Sequence, residues 1–242
     1  MNVVAIIQAR MGSERFPGKI LVDISGKPML WHVVDRTRRS NLINKVVVAT
    51  TEELKDDVVE DFCKNSSIDV YRGSENDVLN RYYQAADVYK ADAIVRITGD
   101  CPLIDPHTVN KVINDYLSNM NGYAGASNVI KRTYPRGLDT EIFLYSSLKK
   151  MHSLAKEAKH REHVTMYMHE HQELFKLFSV VNSKDLSHLR WTVDEEADMR
   201  FVTEIYKRLY NEKDMFLAED VIASLKEEPQ LMDINKDIRQ KI

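Results

Sequence analysis

The sequence predicts an α/β fold in which a mostly parallel central sheet is flanked by helices. Three observations carry that reading. Val3-Val-Ala-Ile-Ile-Gln-Ala9, Lys45-Val-Val-Val-Ala-Thr50 and Ala93-Ile-Val-Arg-Ile97 are β-branched, largely apolar runs, the pattern of strands buried on both faces. Helical stretches separate them, so strand and helix alternate through the first half and imply right-handed βαβ units. The 242 residues are 43% hydrophobic with only 8 Gly and 6 Pro, which builds a full core and excludes collagenous, low-complexity or largely disordered chains.

Taken in order, the first strand runs to Ala9, and Gly12 to Pro28, which holds three of the eight glycines, reads as loop. Residues 29–39 are helical, and a second helix spans Glu53 to Lys64. Asp69-Val-Tyr71 is a short strand, followed by a helix from about Asn76 to Tyr89. Pro106 occupies a first-turn position, and Val109, Val112, Ile113, Tyr116 and Leu117 follow the spacing of a helix that buries one face. After residue 120 the alternation stops. Tyr123 to Val129 and Thr140 to Tyr145 read as strands joined by the turn-rich Tyr134-Pro-Arg-Gly137; helices begin at Ser146 and Glu162; Phe175 to Val181 and Leu189 to Val193 are further strands. Glu195 to Tyr210 is a long amphipathic helix with Phe201, Val202, Ile205 and Leu209 inward, and the polar tail after Glu227 is expected to pack loosely. No repeat or linker divides the chain, so residues 1–242 read as one domain with an elaborated second half.

Charge and cysteine usage narrow the class. A net charge of −3 offers no concentrated positive field, so nucleic acid is not an expected partner. Cys63 and Cys101 are too few for a disulfide framework, which favours a reducing cytoplasm. No apolar run approaches the roughly 18 residues needed to span a bilayer, so a soluble, unprocessed protein with no membrane partner is expected.

Ligands of such sheets bind at the carboxyl ends of the strands. The loops after Ala9, Thr50 and Ile97 therefore surround one crevice. Gln8-Ala-Arg-Met-Gly-Ser-Glu-Arg-Phe-Pro-Gly-Lys19 brings to it two glycines, a serine, two arginines and a lysine. Glycine lets backbone N–H groups approach an anion, and Arg and Lys offset its charge, so a polyphosphate suits this loop. It is not a Walker A loop: Gly12 and Gly18 are one residue too far apart, and Ile20 stands where a hydroxyl is required. Asp100 follows the third buried strand into the same crevice, where a carboxylate beside a polyphosphate is a natural Mg²⁺ ligand, though a turn or cap role is equally compatible. Asp194, between a strand and a helix, reads at least as readily as an N-cap. On alternating strand geometry Asp139 and Glu141 share one face, which suits recognition of hydroxyls or amines, with a surface ion cluster as the alternative.

Ile6-Ile-Gln-Ala-Arg-Met-Gly-Ser-Glu-Arg-Phe-Pro-Gly-Lys19 resembles the N-terminal signature of the sugar-acid cytidylyltransferases, which make CMP-activated sialic acids and CMP-3-deoxy-manno-octulosonate, and looks closest to their spore coat polysaccharide biosynthesis protein F-like relatives. Thr98-Gly-Asp-Cys-Pro-Leu-Ile-Asp105 is similar to the second signature, and Val193-Asp-Glu-Glu-Ala-Asp-Met199 to a third, with Glu195 where the family usually carries a hydroxyl residue. The resemblance implies a Rossmann-like nucleotidyltransferase (glycosyltransferase-A-like) fold with a nucleotide-binding half (1–120) and an acceptor-binding, dimer-forming half (121–242). It implies that Ala9, Arg10, Gly12, Ser13, Arg15 and Lys19 bind the triphosphate end of CTP, that Gly73, Ser74, Asp77 and Arg81 serve its base and ribose, and that Asp100 and Asp194 share Mg²⁺. Arg136, Asp139, Glu141, Glu162 and His163 would face the acceptor, and residues 120–145 and 174–193 a homodimer partner.

The expected reaction is Mg²⁺-dependent transfer of CMP from CTP to a sugar acid with release of pyrophosphate, with Arg15, Lys19, Asp100 and Asp194 as its working residues, for surface polysaccharide or glycan synthesis. Alternatives are a phosphorylated small-molecule acceptor, sugar transfer from a nucleotide sugar, and a non-catalytic nucleotide-binding protein. The missing Asp-x-Asp motif weighs against sugar transfer, and the full set of aspartates and basic loop against a mere binder. A zinc site at His160 and His163 lacks clean ligand spacing.

Overall fold

A computed structural model describes residues 1–238 of the chain. The elements, in order, are β1 (Val3–Gln8), β2 (Asp23–Ile24), β3 (Lys27–Pro28), α1 (Met29–Arg38), β4 (Lys45–Thr51), α2 (Asp57–Asn65), β5 (Asp69–Gly73), α3 (Val78–Val88), β6 (Ala93–Thr98), α4 (Pro106–Asn119), β7 (Gly125–Ser127), β8 (Glu141–Leu144), α5 (Tyr145–Leu154), α6 (Ala158–Glu162), α7 (Met166–Glu170), β9 (Leu177–Ser179), α8 (Glu196–Leu209) and α9 (Ala218–Glu227).

Seven strands form one sheet in the order β5-β4-β1-β6-β8-β7-β9. The βαβ half supplies four parallel strands, with β1 paired to both β4 and β6. The second half then reverses direction: β8 runs antiparallel to β6 and β7, and β9 parallel to β7. The fold is the α/β, mostly parallel, helix-flanked architecture that the alternating pattern predicts.

Two-sided burial explains why the strand runs carry no polar alternation. Val3, Ala5 and Ile7 pack with residues of α1, α2, α4, α8 and α9 on one face. Val4 and Ile6, pointing the other way, pack with α3 and α5. Asp105 caps α4 by accepting from Thr108 N at 2.7 Å, and Pro106 opens the helix where its missing N–H has no intrahelical role.

Several expectations need correction. The stretch 12–28 is not all loop, because Asp23–Ile24 and Lys27–Pro28 pair as a hairpin. The helix expected to begin at Glu162 is two short helices, and Glu162 ends the first of them. Leu189 to Val193 is not a sheet strand: among the described residues its only bridge is Arg136 with Arg190. Trp191 N donates to Arg136 O and Val193 N to Asp100 O, so its backbone groups are taken by loops. Helix α9 is a further element not among the sequence expectations, and it buries Val221 and Leu225 one turn apart. The tail is also better packed than expected: Leu231 is buried, and Asn235 Nδ2 donates to Arg190 O and Asp198 Oδ1 at 3.1 and 3.0 Å. Residues 239–242 of that tail lie outside the described residues.

Candidate active site

The loop after β1 is held at both ends by local bonds. Ser13 N and Gly18 N both donate to Met11 O, at 2.9 and 3.0 Å, and Gly18 takes a left-handed φ of 74° to turn the chain into Lys19. Beneath it, the buried Asp56 accepts from Met11 N at 2.6 Å and from the Thr51 hydroxyl. Neither Thr51 nor Asp56 stands out in the sequence, since Asp at the start of a helix reads as ordinary capping.

Lys19 brings the distant parts of the chain together. Its buried ammonium lies 2.6 Å from Val193 O, 3.1 Å from Asp194 Oδ1 and 3.3 Å from Asp100 Oδ2. Two aspartates 94 positions apart thus face one cation. Asp100 is further fixed by the Thr98 hydroxyl at 2.6 Å. Asp194 is not the helix cap: Glu195 caps α8 in a capping box, and Asp198 accepts from the N–H groups of both Asp194 and Glu195. The Asp194 carboxylate is left for Lys19, for Arg15 at 2.9 Å and for Arg190 at 2.9 Å. Burial alone would raise its pKa, but Lys19, Arg15 and Arg190 outweigh it and hold the group below the usual carboxylate range. Cys101, beside Asp100, is pushed well above the ordinary thiol range, mainly by burial, so it is no ready nucleophile.

Arg15, Lys19 and Asp100 open onto a crevice of about 530 Å³ lined also by Gln8, Ala9, Arg10, Gly12, Ser13, Arg81, Glu162 and His163 among others, whereas Asp194, paired with Lys19 and Arg15, does not itself line it. A larger cavity of about 720 Å³, bounded by Tyr134, Trp191, Leu217 and Ile222, contains neither the basic loop nor the paired aspartates. Charge therefore locates the site better than size. Arg10 is braced by Glu75 at 3.1 Å, which Lys55 also approaches at 2.6 Å.

The other expected residues divide. Gly73, Ser74 and Asp77 do not line the crevice. Ser74 Oγ accepts from Asp77 N, while Asp77 caps α3 through Asn80 N and pairs with Arg161 at 2.6 Å, tying α6 to α3. Arg81, buried along α3, reaches Ser74 O and the crevice wall. Glu162 and His163 line the crevice from α6, and their side chains bond to no described residue. Asp139 lies just before β8, which begins at Glu141, and both carboxylates act on Arg96 and Arg132. Asp139 is gripped by both Arg132 nitrogens, at 2.6 and 2.8 Å. Glu141 is buried among Arg96, Thr165 and His169, each within 2.8 Å. Arg136 lines a separate cavity of about 330 Å³ with Arg190 and Trp191.

A basic loop after the first strand, facing carboxylates at the ends of later segments, defines a nucleotide-handling α/β enzyme. The chain belongs to the cytidylyltransferase family, whose model matches residues 4–238, and the protein is a CTP-dependent nucleotidyltransferase. It is 36% identical to the solved cytidylyltransferase of Leptospira borgpetersenii, with a TM-score of 0.92 and full coverage of both chains. It is 29% identical to the spore coat polysaccharide biosynthesis protein SpsF of Bacillus subtilis, over 90% of this chain and 92% of that one. A 3-deoxy-manno-octulosonate cytidylyltransferase of Trichlorobacter lovleyi is 41% identical, over 49% of this chain and 46% of its own. Membership in this family sets aside sugar transfer from a nucleotide sugar. Among the described residues no helix is long and apolar enough to cross a membrane.

Proposed function

We propose that the enzyme transfers CMP from CTP to a sugar acid, releasing pyrophosphate, in the synthesis of a surface polysaccharide, and that it belongs to the spore-coat-like branch. The convergence of Lys19, Arg15, Asp100 and Asp194 is the observation that carries the reading. Coverage supports the branch: the spore coat relative aligns over most of the chain, the octulosonate enzyme over half. On this reading residues 1–120 bind the nucleotide and 121–242 the acceptor, with residues 120–145 and 174–193 as the faces of a homodimer.

Arg10, Gly12, Ser13, Arg15 and Lys19 hold the triphosphate, with Ala9 at its edge. CTP competes with Asp100 and Asp194 for Lys19 and Arg15, and so frees carboxylate oxygens. Asp100 and Asp194 would hold Mg²⁺, which their hard oxygen donors suit. Bound there, Mg²⁺ supplies charge withdrawal at the α-phosphate. An acceptor oxygen attacks the α-phosphorus in line while Arg15 and Lys19 stabilise the departing pyrophosphate, so the protein acts by positioning and charge rather than as a nucleophile. Glu162 and His163 meet the acceptor from α6. Arg136, Asp139 and Glu141 act on it only indirectly, through the walls they brace.

The deciding experiment is a pyrophosphate-release screen of CTP, UTP, GTP and ATP against sugar acids and sugar phosphates. CTP with a sugar acid should turn over, and turnover only with phosphorylated acceptors would remove the sugar-acid reading. Asp100→Ala and Asp194→Ala should each lower the rate at least about a hundredfold, as loss of a charge-stabilising group does. Substantial residual activity in either variant would take that residue out of the metal site.

A further inference from the structure

Glu141 is closed off from the crevice, but the network that buries it ends on a crevice residue, Gln8. Glu141 Oε2 accepts from Arg96 Nη1 at 2.7 Å, and Arg96 Nη2 lies 3.4 Å from Gln8 Oε1. The Tyr82 hydroxyl lies 3.3 Å from the same oxygen. A guanidinium carries only donors, so the amide atom facing Arg96 must be the oxygen. The amide's Nε2 then points the other way. It bonds to no described residue, and Gln8 lines the crevice beside Val78 and Arg81 of α3.

The position along the crevice matters. Lys19 and Arg15 are gathered toward Val193, Asp194 and Glu195, at the start of α8, which packs on the sheet face opposite α3. The phosphates belong at that end. The nucleobase is left with the α3 side, where Val78 offers an apolar wall and Gln8 a fixed pair of N–H donors.

We propose that Gln8 reads the nucleobase: its oriented carboxamide donates to the acceptor edge of a pyrimidine, so that the crevice takes cytosine and rejects uracil. Cytosine accepts at both O2 and N3, whereas N3 of uracil carries a hydrogen and meets the Gln8 donor as a second donor. Such a mismatch in a confined site discriminates strongly, because neither group regains the partner it had in water. Glu141 and Arg96 are positioning residues in this scheme, holding the amide the right way round. The inference rests on the cytidylyl-transfer reading above and assigns the nucleobase selectivity of that same site.

The test measures CTP and UTP affinity by calorimetry with Mg²⁺ present. Gln8→Met keeps the length of the side chain and removes the amide. It should weaken CTP by about tenfold or more while leaving UTP nearly unchanged, the size expected for one base-edge contact. Gln8→Glu keeps an oxygen toward Arg96, preserving the buried bond, but turns an acceptor toward the base, so its CTP-over-UTP preference should fall below that of Gln8→Met. Glu141→Gln should lower the same ratio by a smaller factor, whereas a purely structural role would weaken both nucleotides alike. An unchanged preference in both Gln8 variants overturns the inference and leaves the cytidylyl reading intact. A wild-type enzyme with no preference for CTP over UTP overturns both.

Discussion

Lys19 holds the site together at the level of single residues. Its ammonium lies within 3.3 Å of Asp100, Asp194 and Val193 O, so one side chain ties the phosphate loop to two carboxylates that must otherwise repel. Lys19→Met should therefore cut pyrophosphate release by about a hundredfold or more, with a rise in the KM for CTP, since it removes a charge that grips both substrate and leaving group. Lys19→Arg should recover only part of this, because the planar fork cannot reproduce three contacts from one point. Cys101, adjacent to Asp100, offers the contrast. Its thiol is protonated at neutral pH and buried, so Cys101→Ala should retain most of the activity and show its effect in thermal stability instead.

At the scale of elements, two tethers decide whether the site is formed. Asp56 ties the phosphate loop to the end of β4 through Met11 N and the Thr51 hydroxyl. Asp56→Ala leaves both donors without their partner. The expected loss is about 1–3 kcal/mol of stability with weaker CTP binding, readable from denaturant unfolding and from the KM for CTP. Gly137 is the second tether. It sits at φ 104°, and a Cβ there would stand 2.6 Å from Thr192 N and from the Trp191 carbonyl carbon, on the run that leads to Asp194. Gly137→Ala should cost more than about 2 kcal/mol, and pyrophosphate release should fall with it as that run is displaced. Helix α6 is held differently, by the Arg161–Asp77 pair at 2.6 Å. Through that contact Asp77, which also caps α3, joins the two helices.

The whole molecule depends on the second half joining the βαβ half through the antiparallel β8, and Glu141 is a principal link. Burial would raise its pKa, but the His169 hydrogen bond, the Arg96 charge and the Thr165 hydroxyl bring it down to about 2. A folded-state pKa below the unfolded one contributes stability above the unfolded value, and that stability is lost as pH falls through the folded one. Folding stability should therefore decline between about pH 4.5 and pH 2 by a term of the order of 3 kcal/mol from this group. In Glu141→Gln, which has no charge to titrate, unfolding measured across that window should show a correspondingly flatter slope. An equally steep slope in the variant would assign the acid sensitivity to other carboxylates.

The sequence by itself determined the strands at 3–8, 45–51 and 93–98, because burial on both faces forces an apolar run that no other element of that length requires. It determined the basic loop and Asp100 for a related reason: the carboxyl end of a parallel strand fixes where the next residues point. Beyond residue 120 local pattern loses its grip. Strands of three residues, 125–127 and 177–179, carry too little periodicity to set their bounds, and 189–193 looks like a strand while its backbone is claimed by Lys19, Asp100 and Arg136. Only the tertiary structure could decide that Asp194 is left uncapped to face Lys19, that Glu141 is a buried anchor rather than a contact, and that Gln8 has its amide turned toward the crevice. Each depends on which distant group supplies the competing hydrogen bond or charge, and chain contacts of high sequence separation leave no mark on the neighbouring residues.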